Sequence, residues 1–230
     1  MLESHLAQVL SVNVGHPRVK IRQQGRGANE PRTYQTAIEK HPVLHSVWVG
    51  RHHVADDVQA DVIHHGGLDK AVHAHFSAHL QWFSELSGKP VPFGFLGENL
   101  TLGAIAAGAP PSEKTFCLGD VIAVGEVHLE VTQPRIPCFK QAEQLRVYDL
   151  VSQVSHSGRT GLYFRVVREG HLCPGDRLEL LHRPHPDWSI DRMNQLLLHP
   201  KQPELWRELS AFSALGVDFR KRAERWTMKR

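Results

Sequence analysis

The sequence predicts a mainly β protein with helices, an α+β fold in which a β-barrel is followed by a small bundle of three helices. Short β-branched stretches separated by Gly and Pro recur through residues 1–183, whereas helical apolar spacing dominates residues 187–230. The 230 residues, 41% of them hydrophobic, suffice for one large domain and a small second one. We therefore assign residues 1–183 to a barrel domain and residues 187–230 to a helical domain.

The first half of the barrel is predicted to contain strands at residues 6–14 and 43–49, which are β-branched and partly alternating. A helix is predicted over residues 69–87, with Asp69 as its N-cap and Gly88 just beyond its end. The apolar residues at helical spacing in that segment are Val72, Phe76, Leu80 and Phe83. This spacing predicts that one face of the helix packs on a core.

The second half of the barrel is predicted to return to strands. These lie at residues 120–124, 127–131, 161–168 and 177–181. The pair Gly125-Glu126 favours a tight hairpin turn between the first two. A second helix is predicted over residues 141–155, ending before Gly158. Because many short strands leave exposed edges unless the sheet closes on itself, the pattern favours a closed or nearly closed barrel.

The tail after the proline-rich stretch at residues 183–187 is predicted to form three short amphipathic helices. The apolar residues that mark them are Ile190, Met193, Leu197, Leu205, Leu209, Phe212, Phe219, Ala223 and Trp226. Pro203 falls in the first turn of the second helix, and Asp218, after Gly216, is predicted to cap the third. Because so small a bundle has little core of its own, we expect it to dock on the barrel or to pair in a homodimer.

Composition argues against several classes of protein. A net charge of +3 is nearly neutral for this size and gives no support to nucleic acid or a membrane surface as partner. The cysteines at 117, 138 and 173 include no CxxC pair, which argues against a zinc ribbon and a secreted disulfide scaffold. No signal-peptide pattern and no apolar run of membrane-spanning length is visible, so we expect a cytoplasmic setting.

The segment VTQPRIPCFK at residues 131–140 carries the strongest chemical signal. Its two prolines should stiffen the loop and point the thiol of Cys138 in one direction. Arg135 and Lys140 favour the thiolate, the form that attacks electrophiles and binds metals. The segment therefore predicts a reactive or metal-ligating thiolate, and the alternative is an inert cysteine buried in a turn.

A second segment, HHGGLDK at residues 64–70, runs a glycine pair into a predicted helix start. Glycines allow backbone N–H groups to approach a ligand, and Lys70 adds a positive charge. The segment therefore predicts a phosphate site, and a plain Gly-rich turn explains it equally well. It matches neither a P-loop nor a dinucleotide fingerprint.

Other polar residues have ordinary structural explanations. In LGENLT at residues 96–101, Asn99 either binds a cofactor or closes a turn, and the turn is favoured. His75 and His79, one helical turn apart in the predicted helix, suggest zinc. Phe76 stands where a zincin has its glutamate, so core or surface histidines are the better interpretation.

Taken in order, five segments resemble the MOSC family, and the whole chain with its three-helix tail resembles the YiiM-type members. The segments are HHGGLDKAVHAH at 64–75, LGENLT at 96–101, LGD at 118–120, VTQPRIPCFK at 131–140 and PGDRLELL at 174–181. One departure is visible. Where relatives have a Gly-Asp pair before a Gln, this chain has Asp56 and Asp57, which weakens any role assigned to that turn.

The resemblance implies a β-barrel that binds the molybdenum cofactor and reduces N-hydroxylated compounds, such as hydroxylaminopurine-type bases, to amines. It implies that Cys138 is the catalytic residue and the protein ligand of molybdenum, which suits a soft metal centre. The residues assigned to cofactor binding are His65, Gly66, Gly67, Lys70, Asn99 and Arg135. Because no flavin, haem or iron–sulfur motif is visible, the electrons are expected from a separate reductase or small redox carrier.

Two alternatives of other classes stay open. Cys138 could act as a persulfide carrier that passes sulfur between proteins without a metal. Alternatively, Lys70 and the glycine pair could bind another phosphorylated ligand, such as pyridoxal phosphate, in a module without redox chemistry. Molybdenum, sulfane sulfur on Cys138 or an unrelated phosphate in gently purified protein would distinguish the three.

Overall fold

The computed structural model describes residues 5–22, 33–60, 66–106 and 108–228. The strands in these residues are β1 His5–Val14, β2 Arg18–Ile21, β3 Thr33–Thr36, β4 His41–Val43, β5 Val47–Val49, β6 Val72–Phe76, β7 Leu100–Gly103, β8 Val121–Val124, β9 Val127–Pro134, β10 Leu162–Arg168, β11 Gly170–Leu172 and β12 Arg177–His182. The helices are α1 Leu80–Ser87, α2 Phe139–Leu145, α3 Leu150–Ser157, α4 Ile190–Leu198, α5 Pro203–Ala211 and α6 Val217–Met228. Two single 3-10 turns, Leu68–Lys70 and Ser77–His79, flank β6.

Within the described residues, seven strands close into a barrel. They follow the order β12, β8, β9, β10, β6, β7 and β1, and β1 pairs with β12 to complete the ring. All neighbours run antiparallel except β6 and β7, which are parallel and are connected through α1. The closed barrel and the α+β class predicted from the sequence are therefore confirmed.

The core of the barrel continues into the helical tail. The fully or almost fully buried tail residues of the same apolar cluster as the barrel strands include Trp188, Ile190, Met193, Trp206, Leu209 and Phe219. Backbone hydrogen bonds also connect the barrel and the tail. The N–H of Leu118 donates to the carbonyl of Trp188, and the N–H of Ile190 donates to the carbonyl of Phe116. The tail thus docks on the barrel and shares its core. None of the helices in the described residues has the length and apolar character needed to cross a membrane.

The predicted helix over residues 69–87 is wrong in its first half. Val72–Phe76 forms β6, all five residues of which are buried between β10 and β7. A strand buried on both faces lacks polar alternation, so periodicity does not separate it from a helix. Only Leu80–Ser87 is α-helical, and it ends as predicted at Gly88, whose φ of 67° suits glycine.

Two other predicted elements are each divided in the structure. Residues 43–49 contribute to β4 and β5, which pair with different strands, β1 and β11. The helix predicted over 141–155 is two helices, because Arg146 takes a left-handed conformation and ends α2. The hairpin at Gly125, the two closing strands and the three tail helices are confirmed, as is Pro203 in the first turn of α5.

Candidate functional site

Two adjoining clefts meet at Cys138. Both are lined by Lys70, Cys138, Lys140 and Tyr163. The inner cleft, of about 580 Å³, is further lined by His73, Asn99, Arg135 and residues of the segments 36–40 and 58–60. The outer cleft, of about 1440 Å³, is further lined by Gln133, Ile136, Pro137, Phe139 and the α6 residues Asp218, Phe219, Lys221, Arg222 and Arg225. The thiol predicted from the sequence therefore lies where a ligand could enter from α6 and reach the barrel.

Cys138 lies in the loop between β9 and α2, beside a buried cation. The Nη2 of Arg135 is 3.9 Å from the sulfur, and its Nη1 donates a 2.6 Å hydrogen bond to the buried Gln141. Arg135 is only 4% exposed, and within the described residues its guanidinium forms no ion pair with a carboxylate. Because a buried charge without a counter-ion is costly, this arrangement favours an anion next to Arg135.

The other two cysteines lie in the opposite electrostatic setting. Burial and then the carboxylate of Asp120 raise the pKa of Cys117. Burial, a hydrogen bond to Asp176 and its charge raise the pKa of Cys173, whose sulfur is 3.4 Å from that carboxylate. Both thiols are therefore held in the protonated form, whereas Cys138 faces a guanidinium.

The turn at Leu68–Lys70 connects the clefts to α6. Gly67 precedes it with φ 95° and ψ 164°, a conformation that is essentially restricted to glycine. The ammonium of Lys70 lies 2.5 Å from the carboxylate of Asp218 in the first turn of α6. Lys70 is thus buried at the junction of the clefts, with its charge directed to the tail helix.

Asp69 has a different role from the predicted one. Its Oδ2 accepts a 2.7 Å hydrogen bond from the N–H of Val217, at the start of α6, and its Oδ1 accepts two from Arg165. Asp69 therefore caps the tail helix from a distant part of the chain and not a helix of its own segment. The prediction of Asp218 as the cap of α6 is wrong, because its side chain contacts Lys70 instead.

Asn99 lines the inner cleft and holds three segments together. Its Nδ2 donates to Asp57 at 2.9 Å, and its Oδ1 accepts from the backbone N–H of His73 at 3.1 Å. Asp57 also accepts from the N–H of Gly15 and forms an ion pair with Lys40, which is buried. These bonds connect the strand carrying His73 to the loop around Asp57 beneath the cleft.

The departure from the family pattern at Asp56 leaves the turn intact. Asp56 has φ 62°, a left-handed conformation that glycine favours and that Asp tolerates better than most residues. Asp57, the next residue, keeps its buried network with Lys40 and Asn99. The substitution therefore places some strain at residue 56 but does not remove the turn.

A row of buried histidines extends from the inner cleft. The ring centroids of His73 and His75 are 6.2 Å apart, and those of His75 and His79 are 5.5 Å apart. They lie on β6 and the turn after it, so the helical spacing that suggested zinc does not exist. Burial lowers the pKa of all three, to about 4 for His79. At the far end His79 lies 3.7 Å from Glu113, whose pKa is raised by burial to about 7.

The structure brings together most of the residues predicted from sequence. Those that line the clefts are Lys70, Asn99, Arg135 and Cys138. Gly66 and Gly67 precede Lys70 in the chain, and His65 lies outside the described residues. Sequence reasoning missed Tyr163, Lys40 and the α6 cations as cleft residues. Tyr163 and Lys40 lie in segments with no motif, and a run of cations on a helix is ordinarily a solvated face.

Comparison with known proteins decides the family. The model of the MOSC domain matches residues 61–179, which include β6 through most of β12 and the loop of Cys138. This chain belongs to the MOSC family. The match contains the glycine turn and the loop of Cys138, whereas residues 36–40 and 58–60 of the inner cleft and the α6 wall of the outer cleft lie outside it.

Several relatives extend the similarity of this MOSC protein. It is 36% identical over 191 residues to the uncharacterized protein YflK of Bacillus subtilis, covering 83% of this chain and 80% of that protein. It is 29% identical over 130 residues to protein YiiM of Escherichia coli, covering 55% of each chain. It is also 34% identical over 137 residues to a protein named reductase in Gibberella moniliformis, spanning 58% of this chain and 23% of that protein.

Solved structures show that the similarity includes the tail. YiiM from Geobacillus stearothermophilus matches with a TM-score of 0.77 and 31% identity, covering 96% of this chain and 99% of that one. YiiM from Escherichia coli matches with a TM-score of 0.70 at 21% identity, covering 82% of this chain and 88% of that one. The barrel with its helical tail is therefore the YiiM-type form of the MOSC fold.

Proposed function

We propose that this protein is a molybdenum cofactor-binding oxidoreductase that reduces N-hydroxylated compounds, such as hydroxylaminopurine-type bases, to amines. The observation that carries the proposal is the thiol of Cys138 at the junction of two clefts, beside the buried guanidinium of Arg135. A thiolate suits a soft metal, and a cation beside it suits a ligand that carries negative charge.

The clefts fit a cofactor with a thiolate-bound metal, a heterocycle and a phosphate. The inner cleft combines polar side chains such as His73, Asn99 and Arg135 with apolar ones such as Ile38 and Val58, as small-molecule sites commonly do. Among the described residues, two buried side-chain atoms that belong to cleft residues have no hydrogen-bond partner, namely Nε2 of His73 and Oε1 of Gln133. Because buried polar atoms are normally paired, each cleft has a wall residue with a polar atom that the described residues do not satisfy. Lys70 and Arg135 provide positive charge for the phosphate.

When bound, the molybdenum cofactor supplies the two-electron reduction in which a hydroxylamine takes up two electrons and two protons and yields an amine and water. The protein orients the reactants. Cys138 would hold the metal, and Arg135, fixed by its hydrogen bond to Gln141, would offset negative charge beside the sulfur. Tyr163 and His73, whose ring centroids lie 5.2 Å apart, form part of the wall of the inner cleft. A separate reductase or small carrier supplies the electrons.

Metal analysis together with turnover tests the proposal. Protein purified gently from a host that makes the cofactor should contain molybdenum near stoichiometry and should reduce an N-hydroxylated base when coupled to a reductase. Sulfane sulfur on Cys138 without molybdenum would favour the persulfide carrier. An unrelated bound phosphate would favour the binding module. Either result would contradict the proposed function.

A further inference from the structure

The wall of the outer cleft that faces Cys138 is formed by α6 and is cationic. Lys221, Arg222 and Arg225 line the cleft from this helix. Within the described residues none of the three forms an ion pair with a carboxylate. Asp218, one helical turn before Arg222, is the acidic residue of the cleft, and its carboxylate contacts Lys70.

These cations are held close to one another. The Nε of Arg225 donates to the carbonyl of Lys221 at 3.2 Å, which folds its side chain back along the helix. Burial, and then the charge of Arg225, lower the pKa of Arg222. Like charges held together without a counter-ion repel each other, so the arrangement favours an anion in the cleft.

Part of the outer cleft is apolar and includes an aromatic ring beside the thiol. Ile136, Pro137 and Phe219 contribute to its lining. Phe139, the residue after Cys138, is 40% exposed, although Tyr34 contacts its ring at 5.5 Å between centroids and the guanidinium of Arg22 lies 4.7 Å from the ring centroid. An exposed aromatic ring offers a surface on which a planar base can stack. The cleft thus combines a stacking surface next to the thiol with cations on its outer wall.

We propose that Arg222 and Arg225 of α6 bind the phosphate of the substrate, so that a nucleoside monophosphate is a better N-hydroxylated substrate than the nucleoside or the free base. This inference rests on the proposed function and specifies its substrate class. The base stacks near Phe139 and Cys138, and the phosphate lies against α6. Guanidinium groups suit this task because they grip phosphate oxygens with paired hydrogen bonds.

The kinetic test compares an N-hydroxylated adenine as free base, nucleoside and nucleoside monophosphate. We expect kcat/KM for the monophosphate to exceed that for the nucleoside by roughly tenfold or more, because charge-assisted contacts of this kind have about that effect. The double variant Arg222→Ala, Arg225→Ala should reduce the ratio to near one, mainly through KM. Arg207→Ala, which removes an exposed arginine of α5, is the matched control and should keep the wild-type ratio. Equal kcat/KM values for monophosphate and nucleoside in the wild type, or an unchanged ratio in the double variant, would overturn the inference.

A binding test separates this inference from the proposed function. Adenosine monophosphate and adenosine are titrated calorimetrically into the protein as purified with its cofactor. Tighter binding of the monophosphate, lost in the double variant, supports the phosphate site even if no N-hydroxylated compound is reduced. Equal binding of both ligands overturns it even if the free base is reduced. A fall in molybdenum content of the double variant would assign the cations to the phosphate of the cofactor and would also overturn it.

Discussion

The ammonium of Lys70 lies 2.5 Å from the carboxylate of Asp218, although 148 residues separate them in the chain. Next to this pair, Asp69 accepts the N–H of Val217, so that consecutive residues of one turn hold the start of α6. The glycine turn that the sequence associates with an anion therefore also positions the helix whose cations line the outer cleft.

The two acidic residues at this junction should differ in their effect on stability. Asp69→Asn should lower the free energy of unfolding by about 2 kcal/mol, because it weakens the bonds to Arg165 and the cap of α6. Asp218→Asn should cost less, about 1 kcal/mol, because Asp218 is half exposed and the amide oxygen of asparagine can still accept a hydrogen bond from the buried Lys70. Urea unfolding of both variants checks the order, and a larger loss for Asp218→Asn would contradict it.

Replacing the cysteines one at a time should separate Cys138 from the other two. Cys138→Ser should abolish molybdenum binding and N-reduction without unfolding the barrel, because serine keeps the volume but offers a hard oxygen. Cys117→Ser and Cys173→Ser are the controls and should retain most activity, since both thiols face carboxylates. Metal content, turnover and melting temperature are measured together. Wild-type turnover in Cys138→Ser would exclude the metal-ligand role.

The cations of the cleft should differ in their effect on cofactor retention. Lys70→Ala and Arg135→Ala should each reduce retention by roughly ten- to a hundredfold, the effect of losing one charge-assisted contact. Arg135 should matter more, because it also fixes the loop of Cys138 through Gln141. Molybdenum content after extensive dialysis measures retention. Unchanged content in both variants would exclude the anion site.

The buried pair of His79 and Glu113 should make stability depend on pH in two opposing ways. The raised pKa of Glu113, about 7, means that the folded state keeps a proton that the unfolded state has lost, so the free energy of unfolding falls as pH rises from about 4.5 to 7. The lowered pKa of His79, about 4, means that stability falls as pH drops from about 6.5 to 4.

Glu113→Gln should remove the first of these dependences. The introduced amide keeps an oxygen that can accept the 2.9 Å hydrogen bond that the N–H of Gly161 donates to Glu113. Relative to the wild type, the variant should therefore gain stability between pH 4.5 and 7, by up to about 3 kcal/mol. Urea unfolding across this range measures the difference, with the exposed Glu179→Gln as control. A difference that does not change with pH would contradict the raised pKa.

A buried tryptophan of the tail should stabilise the whole protein. Trp206 of α5 is fully buried in the core shared with the barrel, and its Nε1 donates to the carbonyl of Pro200. Trp206→Ala should lower the free energy of unfolding by about 3 to 5 kcal/mol. Trp48→Ala, at a position 44% exposed, is the control and should cost far less. A separate, early transition of the tail in Trp206→Ala, with the barrel unaffected, would show that the core is not shared.

Local sequence determined the elements whose structure depends on neighbouring residues. The turn at Gly125 fixes the hairpin of β8 and β9, Gly158 ends α3, and Pro203 begins α5, because backbone conformation restricts each of these positions. The segment around Cys138 also marked the thiol of the site, since a cation three residues away lies beside the sulfur in the structure. These features require no knowledge of distant contacts.

Only the tertiary structure decided the elements whose partners are remote. The sequence predicts a helix where the structure has β6. This strand is buried on both sides by β7 and β10, so it lacks the polar alternation by which a strand is recognised. Likewise, the cap that Asp69 provides to α6 and the cationic wall of the outer cleft arise when the tail docks on the barrel. The sequence thus predicted which residues are candidates for the chemistry. Closure of the barrel and the core that it shares with the tail determined where those residues come together. Contacts between distant residues depend on packing and leave no fixed spacing in the sequence.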